Sequence, residues 1–231
     1  MLVAGFAAGV FQANCYVIAG GEGADCVIVD PGQDAAEPVG RTLREHRLNP
    51  VAVLATHGHV DHVYSAATIA DAHTIPAYIE RLDRELLSDP LKGLGPQLAE
   101  QLAAIFPRQQ ALREPQEVVE LGEGPLDVAG LRVEVDLTPG HTPGSVTYRL
   151  STEEGGRLAL TGDTLFAGSI GRTDLPGGDM DQLRRSLREK VLTLPDETVV
   201  LPGHGGTTTI GRERAANPFL AGLHAAPVTG T

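Results

Sequence analysis

Short apolar runs of strand length alternate along this chain with stretches in which apolar residues recur every three or four positions. The runs predict strands over Leu2–Phe6, Asn14–Ala19, Cys26–Asp30, Val51–Ala55, Ala77–Ile79, Leu131–Leu137, Ser145–Leu150, Arg157–Thr161 and Thr198–Leu201. The helical spacing predicts Ala35–Arg47, Val63–Ala72, Met180–Val191 and Arg212–Leu223. Asp179 stands where a short carboxylate can accept the free amide protons of a first turn, so it is the expected N-cap of the third helix. Strands dominate both halves and helices lie between them, which points to an α/β protein of two packed sheets with helices outside.

Residues 80–115 break this rhythm. Leu82, Leu86, Leu87, Leu91, Leu94, Leu98, Leu102, Ile105 and Phe106 recur at near-helical spacing, interrupted by Asp89-Pro90 and by Gly93-Leu94-Gly95-Pro96. Two short helices are expected there. They form either a pair packed on the core or a cap over a site.

Composition narrows the classes. Apolar residues make up 42% of the 231 positions, enough to bury a sizeable core. No uninterrupted apolar stretch reaches the length of a membrane span. Met1–Gly20 has no Lys or Arg, so it lacks the basic start of a secretory signal and is expected to be folded, in a cytoplasmic protein. Cys15 and Cys26 sit in apolar strand-like runs and are expected to be buried and reduced. The formal charge of -12 makes nucleic acid a poor partner and leaves a small molecule as the expected one.

The chemistry concentrates in Thr56-His57-Gly58-His59-Val60-Asp61-His62, directly after an apolar run. Imidazole nitrogen and carboxylate oxygen are the ligands that zinc and similar ions prefer. Three more places repeat one arrangement, a strand followed by a glycine-containing turn and one metal-capable side chain: His141, Asp163 and His204. Loops at the carboxyl ends of strands are where α/β sheets hold ligands, so these four are expected to converge. His57, His59 and His141 then form one site, and Asp61, His62 and His204 a second. Asp163 bridges them and a shared water completes both. Asp61 and Asp163 are the carboxylates expected at the reacting centre. Asp30, before Pro31-Gly32, either orients a ligating histidine or is an ordinary turn aspartate. His46, His73 and His224 fall on or beside predicted helices and are expected to be surface or capping residues, not ligands.

At these residues the chain resembles the metallo-β-lactamase superfamily, from Asn14-Cys15-Tyr16 through Arg212-Glu213-Arg214 to Asn217-Pro218-Phe219. Within it, Gly162-Asp163-Thr164-Leu165-Phe166 and the Ser169–Gly178 loop are similar to compact glyoxalase II-like hydrolases. The resemblance implies a four-layer αββα sandwich, as a single domain over residues 1–231 with a helical insertion at about 80–115. It also implies two divalent metal ions, zinc first, with iron or manganese accepted by the same ligands. The implied reaction is hydrolysis of a hydroxyacyl thioester of a small thiol, by attack of a hydroxide held between the metals. Arg172 would pair with a substrate carboxylate, or else structurally with Asp174 or a loop carbonyl. The long helical region by which full-length glyoxalase II binds glutathione has no counterpart in the short stretch after His204. The thiol therefore stays open. The rival within the fold is a persulfide dioxygenase-like oxygenase with one iron on His57, His141 and Asp163. The rival outside enzymes is a metal-binding scaffold.

Overall fold

Successive residues of a strand point to opposite faces, and in the central strands of this chain both faces are apolar. The computed structural model describes residues 1–102, 113–152 and 154–223. One sheet runs in the order β1 (Leu2–Ala8), β2 (Ala13–Ala19), β3 (Asp25–Val29), β4 (Asn49–Leu54), β5 (Ala77–Glu80) and β6 (Val118–Leu121). The other contains β7 (Gly124–Val128), β8 (Leu131–Leu137), β9 (Val146–Ser151), β10 (Arg157–Gly162), β13 (Val199–Pro202) and β14 (Thr208–Thr209), adjacent in that order. Between β10 and β13 in sequence, β11 (Leu165–Phe166) and β12 (Ser169–Ile170) form a small ribbon of their own.

The alternation divides the core into three layers. Tyr16, Ile18, Val27, Val29 and Leu54 meet Val133, Val135, Tyr148 and Leu160 between the sheets. The opposite faces of the same first-sheet strands, through Cys15, Val17 and Ile28, pack on α1 (Ala36–Glu45) and α3 (Ala66–His73). Val200 faces outward from the second sheet onto Leu183 of α6 (Met180–Ser186) and Ile210 of α7 (Ile210–Ala216). This is the expected four-layer arrangement of helix, sheet, sheet and helix. Cys15 and Cys26 are buried and unbridged. Asp179 caps α6 as expected, accepting from the amides of Asp181 at 2.9 Å and Gln182 at 3.0 Å.

Several boundaries differ from expectation, each for a local reason. The helix expected from Val63 begins at Val60 as α2 (Val60–Val63) and breaks before α3. The break follows from Ser65, whose amide donates to the Pro31 carbonyl at 2.9 Å and whose hydroxyl donates to Gly32 O at 2.6 Å. Asp30 leaves the strand expected to contain it, taking φ 51. The helix expected over Arg212–Leu223 starts earlier, capped by the Thr209 hydroxyl, and ends at Asn217-Pro218 because the residue before a proline disfavours helical geometry. The sheet-edge strands β6 and β7 were not anticipated. β6 is only four residues long, and Gly124, Pro125 and Asp127 interrupt the apolar pattern of β7. Within the described part of the insertion the two short helices expected there are α4 (Glu85–Ser88) and α5 (Gly95–Leu102), each preceded by a short 3₁₀ turn. Ile105, Phe106 and His224 lie outside the described residues. Among the described helices none is long and apolar enough to cross a membrane.

Leu183 is fully buried under the second sheet. Leu183→Ala is expected to lower unfolding free energy by about 3 kcal/mol, the usual cost of a leucine-sized cavity. Denaturant unfolding followed by circular dichroism measures it.

Candidate metal centre

Strands β3, β4 and β5 are parallel, and β8 runs parallel to β10 and β13 through the intervening antiparallel β9. Their carboxyl ends therefore lie at common edges of the two sheets. Asp30 follows β3, His57 follows β4, His141 follows β8, Asp163 follows β10 and His204 follows β13. All four expected loops converge. His57, His59 and His141 place their nearest nitrogens within 4.8 Å of one another, and so do the ligand atoms of Asp61, His62 and His204. Asp163 lies between the two groups. Its Oδ1 is 3.4 Å from His62 Nε2, and its Oδ2 is 3.6 Å from both His141 Nε2 and His204 Nε2.

The orientation of three of the five rings is set from behind. Asp30 accepts from the Thr56 amide at 2.7 Å and the Thr56 hydroxyl at 2.6 Å, and its Oδ2 is 3.0 Å from His62 Nδ1. A carboxylate only accepts, so His62 carries its proton on Nδ1 and turns Nε2 into the centre. The Thr56 hydroxyl, already donating to Asp30, receives His57 Nδ1 at 3.1 Å. His141 Nδ1 donates to the Arg172 carbonyl at 2.8 Å. Of the two readings of Asp30, the orienting one is what the structure shows. Its left-handed backbone is the conformational cost of aiming that carboxylate.

Three positioning residues carry no sequence signal of that role. Asp83, fully buried at the start of the insertion, accepts from Gly58 N at 2.8 Å, Thr142 Oγ1 at 2.6 Å and Gly144 N at 2.8 Å. It thereby ties the His57–His62 loop to the His141 loop. Nothing in a leucine-rich stretch signalled it. Asn14 donates to the carbonyls of Pro202 and Gly205, both at 2.9 Å, and the Tyr16 hydroxyl donates to Pro202 at 2.8 Å, fixing the His204 loop from the neighbouring sheet. Arg172 lines the adjacent cavity, but its guanidinium forks onto Asp174 with both bonds at 2.7 Å. What it gives the centre is its carbonyl. His46 and His73 lie on the helix ends away from the centre, as expected.

The residues fit a cation. His57 Nε2 and Asp163 Oδ1 are buried with no hydrogen-bond partner. A Cβ on Gly203 would stand 2.1 Å from Asp163 Oδ1, so that carboxylate is cradled where only glycine leaves room. Burial, then the surrounding histidines, holds His57 well below its usual range, and burial with His141 brings His59 to about 3. Burial also opposes charge on His62, yet Asp163, Asp61 and Asp30 raise it to about 10. Crowded carboxylates thus demand positive charge at this point, which a cation would satisfy.

The sequence profile described as metallo-beta-lactamase superfamily matches residues 8–204. The chain belongs to the metallo-beta-lactamase superfamily. It is 52% identical to an uncharacterized protein of Mycobacterium leprae, covering 96% of this chain and all of that one. It is 37% identical to the probable metallo-hydrolase YqgX of Bacillus subtilis, over 93% and 95% of the two chains. It is also 36% identical to the hydroxyacylglutathione hydrolase GloC of Haemophilus influenzae, over 91% and 93%. Among solved structures it is similar to the BLEG-1 B3 metallo-beta-lactamase, with a TM-score of 0.80 at 35% identity over 95% and 99% of the chains. The di-iron-bound form of TTHA1623 gives 0.77 at 35% identity over 94% and 100%. ETHE1 from Myxococcus xanthus gives 0.75 at 26% identity over 96% and 85%.

Asp83→Ala leaves three buried donors without an acceptor. A loss of about 3 kcal/mol in stability is expected, together with weaker metal retention, because each stranded donor costs about 1 kcal/mol or more. Thermal unfolding and metal content after dialysis check both.

Proposed function

We propose that the protein hydrolyses a hydroxyacyl thioester of a small thiol at a two-cation centre. The observation that carries this reading is the meeting of seven nitrogen and oxygen donors beside a cavity of about 460 Å³ with largely apolar walls. His57, His59 and His141 would hold one ion and Asp61, His62 and His204 the other, with Asp163 shared. Zinc suits these imidazoles and carboxylates, and iron or manganese is accepted by the same set. Such a pair, when bound, activates water near neutral pH and polarises a carbonyl.

The chain's own residues do the rest. Leu94, Leu98, Phe166 and Ile170 wall the cavity, bury an acyl chain and exclude bulk water. Asp61 and Asp163 present oxygens to the cavity and concentrate positive charge there. Asp30 and the Arg172 carbonyl keep His62 and His141 from rotating away. The name of the Haemophilus influenzae relative supports a hydroxyacyl thioester as the substrate class. Arg172, committed to Asp174, gives no reason to favour one thiol over another. The acidic balance of the chain favours a small molecule over nucleic acid.

Metal-loaded protein is expected to turn over a hydroxyacyl thioester, and Asp163→Ala to lose more than about a hundredfold in kcat/KM, beyond the usual cost of losing an outer partner. Equal turnover by both proteins would remove Asp163 from the centre. One iron per chain, with oxygen consumed on a persulfide, would replace this reading by the oxygenase.

Metal uptake also reports on His62. Its raised pKa, about 10, keeps it protonated at pH 7 without a cation, whereas a ligand must be neutral. Uptake therefore releases a proton, and affinity rises as pH increases from neutrality toward that value. Titration calorimetry in buffers of different ionisation heat measures the release. A pH-independent affinity would argue against His62 as a ligand.

A further inference from the structure

Glu213 is a buried carboxylate on α7, 2% exposed, in the outer helical layer and outside the ligand set. Its Oε2 accepts from the Gly168 amide at 2.7 Å and from Asn217 Nδ2 at 2.9 Å, and its Oε1 accepts from the Thr208 hydroxyl at 2.6 Å. Asn217, one turn further along, donates to the Ser169 carbonyl at 3.0 Å as well. Together the two side chains grip the turn between β11 and β12 through its backbone. Gly168 has φ +74 in that turn, a conformation with few local restraints of its own. The residues flanking it, Phe166 and Ile170, form one wall of the cavity beside the metal centre.

We propose that Glu213 is a positioning residue that sets substrate binding by holding the Phe166–Ile170 wall against the cavity. This rests on the hydrolase reading for its substrate, and it concerns the acyl side of the thioester. The apolar wall takes the acyl chain, and its distance from the cations decides how large a chain is accommodated. A carboxylate is suited to the task because it accepts all three donors at once. A glutamine in its place would turn an amide N–H₂ toward one of them.

Glu213→Gln tests the clamp, with Thr208→Val as a milder variant that removes one donor and keeps the shape. Hydrogen–deuterium exchange over residues 165–171 reads the clamp without any turnover. Faster exchange there is expected in both variants, with metal content equal to wild type. KM for a hydroxyacyl thioester is expected to rise about three- to tenfold with kcat within about twofold, the signature of lost binding rather than lost transition-state contact. Unchanged exchange in that segment would overturn the proposal. So would a loosened turn with unchanged KM, which would make Glu213 an anchor for α7 alone. A wild-type protein inactive on every thioester would instead sink the hydrolase reading, and the exchange data would still decide whether Glu213 holds the turn.

Discussion

Five imidazoles and two carboxylates packed into one small volume are unfavourable unless every ring has only one way to point. Ring centroids within the cluster are 4.3 to 4.9 Å apart around His57. At that spacing a wrongly turned ring removes a ligand atom and leaves a buried polar nitrogen unsatisfied, at a cost of about 1–3 kcal/mol. The rest of the architecture is organised to prevent this. The outer nitrogens of His57, His62 and His141 are occupied from behind, by Thr56, Asp30 and the Arg172 carbonyl, so their inner nitrogens are left for the centre.

Those holding groups come from across the molecule. Asp30 follows one strand and orients a histidine that follows the next. Asn14 and Tyr16 belong to the first sheet and hold the turn that carries His204 on the second. The Tyr148 hydroxyl reaches from the second sheet to the Ala55 carbonyl at 2.7 Å, just ahead of the histidine-rich loop. Docking the sheets and ordering the centre are therefore one event. The apolar layer between the sheets supplies the driving force, and the edge hydrogen bonds convert it into ring orientation.

The outer elements shape what the centre can accept. Leu91 and Leu94 of the insertion pack on Val60 of α2, while Leu94 and Leu98 also face the cavity. The described part of the insertion thus packs against α2 and also lines the cavity. Asp83 at its start adds a third role by joining the two histidine loops. On the opposite side, α7 covers the second sheet through Ile210 and reaches the β11–β12 turn through Glu213. Elements that would ordinarily only cover a sheet here also set the dimensions of a pocket.

The amino-acid sequence by itself determined the two-sheet layering, the strands that carry the ligand loops, the cap of α6 and all seven metal-capable side chains. These are local signals. Two-residue alternation, a carboxylate one position before a helix, and a histidine after a strand and glycine each speak within a few positions. Tertiary structure decided what depends on distant partners. Asp83 has no local mark, because its three donors lie on loops 25 to 61 positions away. Glu213 reads as one more charge on a helix until the fold brings Gly168 beneath it. Asp30 kept two readings until His62 was placed beside it, and Arg172 until its fork was seen on Asp174. A hydrogen-bond acceptor gains its role only when chain closure delivers the donor, and that closure is a property of the whole fold.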